Sequence, residues 1–150
     1  MAIVGFNFTK IFAERTGNAE NVRVESNVTI EDLSETKMPD AKKSIIKFKF
    51  SFTSKFEPNV GNIELKGELL EMFDSELSDK ILEGWKRTRS LHKDIAPRVL
   101  NAILAKSNIE AILMSKELGL PSPVQMPKVE LKLKEEKEEK TEKNDKSKKK

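Results

Sequence analysis

The stretch "IIKFKFSFTSKFEPNVGNIELKGELL", residues 45–70, decides how this chain is read. In its first half Ile46, Phe48, Phe50, Phe52 and Phe56 share one parity, and Lys47, Lys49, Ser51, Thr53 and Lys55 share the other. A period of two puts the first set on one face of a β-strand and the second on the opposite face. Pro58, Asn59, Gly61 and Asn62 then mark a turn. The pattern resumes with Ile63, Leu65, Gly67 and Leu69 alternating with Glu64, Lys66 and Glu68. Two such runs around a turn predict an antiparallel hairpin with one apolar and one charged face. Placing Phe56 opposite Ile63 sets Phe52 against Gly67, Phe50 against Leu69 and Lys55 against Glu64. In that register Gly67 makes room for the Phe52 ring, and the Lys55/Glu64 pair is a favourable cross-strand contact.

Upstream, residues 3–14 set Phe6, Phe8 and Phe12 on one alternating face, and residues 22–30 do the same with Val22, Val24, Val28 and Ile30. Glu31 and Asp32 then read as solvating residues of a turn. Downstream the period lengthens. Ser75 is placed as a helix N-cap, with Glu76 and Asp79 near the positive helix end. Leu77, Ile81, Trp85 and Thr88 form the helical stripe, which Gly84 weakens. A second helical stretch is predicted from about Ile95 to Leu118, with Pro97 in its first turn and Gly119 as its left-handed terminator. Ser107 and Glu110 have the spacing of a capping box, which would divide it in two. Four strands followed by helices define an α+β fold, a four-stranded antiparallel sheet with the helical region packed on one face.

Composition narrows function. The chain has 150 residues, no cysteine and a formal charge of +3. Disulfides and thiolate chemistry are therefore excluded. Residues 130–150 hold nine Lys against seven Asp and Glu, so two of the three net charges sit there. Interspersed charge in the body argues against a nucleic-acid-binding face. No apolar run approaches the ~18 residues of a membrane span, and residues 1–10 lack a secretory core. A cytoplasmic protein without membrane insertion is expected. His92 is the sole histidine, in no metal-ligand spacing and beside no nucleophile, so neither a cofactor nor catalysis is expected. Residues 1–131 are read as one domain, and residues 132–150 as a charged, disordered Lys/Glu-rich tail.

The stretch "GLPSPVQMPKVEL", residues 119–131, combines three prolines with Leu120, Val124, Met126, Val129 and Leu131. It serves either as a lid on the core or as the wall of a groove whose alternate side chains face an extended apolar segment. Here the chain resembles the SecB family of export chaperones. Gly119, Pro121, Pro123, Val124, Met126, Pro127 and Val129 follow that family's pattern of Gly, Pro-containing apolar stretch, Pro and apolar residue after its main helix. "IAPRVLNAILAKSNIEAILMSKEL" looks like the family's long helix. "VRVESNVTIEDL" and "IIKFKFSFTSKF…NIELKGELLEMF" look like its second to fourth strands.

The resemblance implies a non-enzymatic, ATP-independent holdase that binds unfolded or nascent polypeptides and acts in protein transport or a related pathway. It also implies a homodimer or homotetramer joined through helix and edge strand. The implied groove is lined by Leu120, Val124, Met126 and Val129, with Ile112 and Met114 on the helix and Phe6 and Phe8 on the first strand. The alternative is a non-catalytic interaction module for one folded partner. Two departures stand out. A charged tail replaces the family's last short helix, and Lys47, Lys49 and Lys55 stand where the family presents an acidic sheet surface. The family's translocation ATPase is therefore not carried over as a partner.

Overall fold

A computed structural model describes residues 2–18, 20–39 and 42–124. Met126, Val129, the tail and the domain boundary at residue 131 lie outside the described residues. The described elements are β1 (Ala2–Arg15), β2 (Arg23–Lys37), β3 (Lys43–Glu57), β4 (Gly61–Asp74), α1 (Ser75–Thr88) and α2 (Ala96–Glu117). The four strands form one antiparallel sheet in the order β1-β4-β3-β2. β2, β3 and β4 are a meander, and β1 lies beside β4, which is Greek-key connectivity. Both helices pack on the phenylalanine face. The architecture is the predicted α+β sheet with helices on one side.

The parity of the central hairpin is as read, but its register is shifted by two residues. Phe56 pairs with Gly61, Phe52 with Leu65, Phe50 with Gly67 and Phe48 with Leu69. The turn is tighter than a six-residue EPNVGN loop. Asn59 takes a left-handed φ of 48°, and the Val60 N–H bonds back to the Phe56 carbonyl at 2.9 Å. Val60 also buries its side chain in the core, so a residue read as turn takes part in packing. As a result Gly67 accommodates Phe50, not Phe52. A Cβ at Gly67 would lie 2.7 Å from Phe50 Cζ and 2.5 Å from the Asn7 carbonyl oxygen. Lys55 faces Asn62 and Thr53 faces Glu64; Glu64 instead meets Lys10 at 3.3 Å and Lys66 at 3.8 Å.

Bulges on both edge strands are the second departure from strict alternation. In β1 the register slips between Ile3 and Gly5 and again between Phe8 and Lys10. Each slip inserts one residue and exchanges the faces of the residues after it. Ile3, Phe6, Phe8, Ile11 and Ala13 therefore share the helix-covered face, being paired with Glu71, Leu69, Gly67, Leu65 and Ile63. Phe12 is corrected to the opposite face, paired with Glu64, where the Lys10 ammonium lies 6.0 Å from its ring. In β2 the slip falls between Ile30 and Asp32. Glu31 and Asp32 thus occupy a mid-strand bulge, and the strand continues to Lys37.

The core is nearly continuous under the helices. One end joins Leu33, Ile46, Phe48, Phe50, Leu69 and Phe73 to Ile81, Trp85, Ile95, Val99 and Ile103. The other joins Phe52, Phe56, Val60, Ile63 and Leu65 to Ala111 and Leu120. Burying each such large apolar side chain contributes about 1.5–3 kcal/mol. α1 begins after Asp74 with no side-chain cap bond, so Ser75 is its first residue and not its N-cap. It ends at Arg89, whose φ is 56°. α2 runs unbroken through Ser107. Val99, Ile103, Ser107, Ala111 and Ser115 are its buried spine at i, i+4 spacing. Ser107 is a small residue facing the sheet, and the core under it rules out a helix start there. Gly119 closes the helix with a φ of 66°.

Candidate functional site: an apolar strip along the β1 edge

α2 packs over β3 and β4, with one flank toward β1. Near its start, Arg98 Nη2 is 2.5 Å from Glu71 Oε1 on β4, a close ion pair. In its middle, the Lys106 ammonium stands 4.8 Å from the Phe6 ring centroid. At its end, Arg15 donates to the Leu118 carbonyl at 3.1 Å. Leu104, Met114 and Leu118 pack against the lower core, which Phe8 and Ala13 of β1 and Val22, Val24 and Val28 on the β2 side also adjoin.

The β1 flank is incompletely covered. On the helix-side face, Ile3 and Ile11 are each 48% exposed, and Phe6 and Phe8 are half-buried. The two rings meet edge to face at 5.2 Å, and Phe6 stacks on Phe50 at 5.3 Å with an interplanar angle of 27°. The core thus fixes the position of these rings while leaving part of their surface outside. β1 is also an edge strand, so its outer backbone groups have no partner strand among the described residues. An apolar floor beside an unpaired strand edge is the arrangement that β-augmentation by an extended peptide requires.

Of the eight residues placed in a groove from the sequence, six are described, and these six are spread over β1, α2 and the segment after it. Phe6 and Phe8 are together on the strip. Leu120 is 7% exposed and packs against Gly61, so its side chain belongs to the core. That placement fits the lid reading of Leu120. Met114 is half-buried and packs against the lower core. Ile112 is exposed with Ile109 and Leu113, the three forming an apolar patch at i, i+3, i+4 spacing on α2. Val124 is half-buried; Met126 and Val129 lie outside the described residues. Sequence reading missed Ile3 and Ile11. Their shared face with Phe6 and Phe8 arises only from the two bulges, which no periodicity reveals.

The open face of the sheet is largely polar. It carries Lys47 with Glu68 at 3.7 Å and Lys66 with Glu31 at 3.6 Å. A depression at the β3–β4 turn is lined by Glu14, Thr16, Lys55, Glu57, Asn59 and Glu64 and lies away from the strip. His92 sits in the linker between the helices, where its Nδ1 accepts the Asp94 N–H at 3.3 Å. Among the described residues there is no group of three or more His, Cys, Asp or Glu that could hold a metal ion. No helix among them is long and apolar enough to cross a membrane. Glu71 is the one titratable group among the described residues with a clear shift. Burial at 1% exposure raises its pKa, and the Arg98 charge partly opposes that.

No protein-family model matches the chain, and no curated protein matches it. Among solved structures it is similar to a Mycobacterium tuberculosis SecB-like chaperone in complex with a ChAD peptide from the HigA1 antitoxin. The identity is 10% and the TM-score 0.49, over 85% of this chain and 89% of that one.

Proposed function

We propose that the chain is an ATP-independent holdase that takes extended apolar segments of unfolded polypeptides along β1. The observation that carries this reading is the strip itself. Ile3, Phe6, Phe8 and Ile11 line one face of an edge strand whose outer side has no partner strand among the described residues. A client strand added to β1 would gain main-chain hydrogen bonds at its backbone. Its alternate side chains would cover the strip. Binding would then depend on apolar parity more than on sequence, which suits many clients. Repeated weak contacts along one chain add through effective concentration.

The test is light scattering from a chemically denatured client diluted into buffer with the purified protein. Aggregation should fall as the protein approaches molar excess. Unchanged aggregation at excess overturns the proposal.

A separate observation supports self-association. Ile109, Ile112 and Leu113 are exposed side by side on α2, at 62%, 39% and 49%. Such a patch on one helix fits a second copy of the chain in a homodimer or homotetramer. It would equally serve the alternative reading, an interaction module for a single folded partner. Sedimentation of the protein alone separates the two. A dimer or tetramer that Leu113→Lys dissociates supports self-association, and a strict monomer supports the partner module.

A further inference from the structure

The α2 flank of the strip carries a charge with no ion-pair partner among the described residues. Arg98, near one end, is held by the buried Glu71 carboxylate. Lys106, in the middle, has no carboxylate within ion-pair distance among the described residues. Glu110 lies one turn further along the same helix and forms no ion pair with it. Instead the Lys106 ammonium stands over Phe6, 4.8 Å from the ring centroid. Phe6 is already stacked on Phe50 and edged by Phe8. The cation therefore covers ring surface that a bound segment would otherwise touch.

We propose that Lys106 selects among the segments the strip can hold, favouring those in which a carboxylate accompanies the apolar residues. This rests on the holdase reading and deepens it. A purely apolar segment must displace the ammonium from Phe6 and leave it facing apolar groups, which loses a cation–π contact and some hydration. A segment bearing Glu or Asp beside its apolar residues gives the displaced ammonium a partner at the edge of the strip. A segment bearing Lys there adds like-charge repulsion. Selection is thus a difference between attraction and repulsion at one exposed rim position. It changes rank order among clients more than absolute affinity.

The experiment uses the full chain and three fluorescein-labelled peptides with blocked termini. They share one alternating Val/Phe sequence and differ only in Glu, Gln or Lys at a central position. Anisotropy titrations at low ionic strength should give the order Glu, Gln, Lys from tightest to weakest. Each step should be about two- to fivefold, and the differences should shrink as salt is raised. Lys106→Ala should abolish the Glu/Gln difference while holding or improving affinity for the Gln peptide, because Phe6 is uncovered. Lys106→Arg should keep the order. Equal binding of the three peptides to the unsubstituted protein overturns the proposal, as does equal weakening of all three by Lys106→Ala. Failure of every peptide to bind overturns the reading of the strip beneath it. Thermal unfolding of both variants, with a Tm near that of the parent, confirms that an exposed side chain has been changed without loss of the fold.

Discussion

The two edge strands differ more than their sequences do. β1 and β2 span 14 and 15 residues, flank the same phenylalanine-rich pair and are both bulged. On the β2 side α1 closes over part of the sheet. Leu33 is buried among Phe48, Ile81 and Trp85, and Ser78 on α1 donates to Glu35 Oε1 at 3.4 Å. On the β1 side only the flank of α2 approaches, through Lys106 and Arg15, and Ile3 and Ile11 stay near half exposed. The exposed residues of β2 are polar, among them Arg23, Glu25, Asn27, Thr29 and Glu31, the usual protection of a free edge. Those of β1 include Ile3, Val4, Ile11 and Phe12. An alternating strand can serve as core or as contact surface, and the placement of one helix decides which.

Matched substitutions test the contrast between the two edges. Leu33→Ala on β2 should cost about 2–5 kcal/mol, the range for an emptied leucine site in a closed core. Urea unfolding measures it, and a loss under about 1 kcal/mol, the scale of an ordinary surface change, would mean that the β2 side is as open as β1. Gly67→Ala comes next, at about 1–3 kcal/mol. Its new Cβ meets the Asn7 carbonyl and the Phe50 ring at once. The loss should appear in the same unfolding assay and should be partly relieved by Phe50→Leu.

A smaller effect concerns pH. The folded-state pKa of Glu71 is raised, first by burial, above its ordinary value of 4.5. Between 4.5 and the raised value, the folded protein therefore holds more protons than the unfolded one. Stability at this site falls as pH rises through that window and is greatest below it. Glu71→Gln removes the dependence. The Tm of the parent relative to this variant should thus improve as pH is lowered from neutral toward 4.5; a difference independent of pH would refute the burial argument. Smallest in stability is Ile11→Ser, within about 0.5 kcal/mol for a half-exposed site. It should nonetheless weaken suppression of client aggregation, the opposite profile to Leu33→Ala.

Much of the fold was legible because it rests on local alternation. Phe48, Phe50 and Phe52 could be assigned to the core from parity alone. The hairpin was legible from the turn residues between two alternating runs, the helix after Asp74 from the change of period, and the terminator from a glycine placed just after the helical run. The candidate site was legible only in part. Phe6 and Phe8 were found from their shared parity with a core strand. Ile3 and Ile11 were missed because a bulge is an exchange of faces with no local signature. Leu120 was ambiguous because a Pro-flanked leucine reads the same as lid or as groove. Its contact with Gly61, far away in sequence, places its side chain in the core.

Local sequence sets which residues are apolar, their period along each element and the charge beside them. These are properties of neighbouring residues, and side-chain direction derives from them. Tertiary packing sets the register of the hairpin, the faces of the bulged edge strands and the side on which the helices leave the sheet uncovered. Those depend on how Val60 packs in the turn, on pairing between strands distant in sequence, and on the small spine of α2 at Ser107, Ala111 and Ser115. The strip along β1 is the joint product: apolar by sequence, and exposed because α1 packs toward the other edge and only a flank of α2 reaches β1.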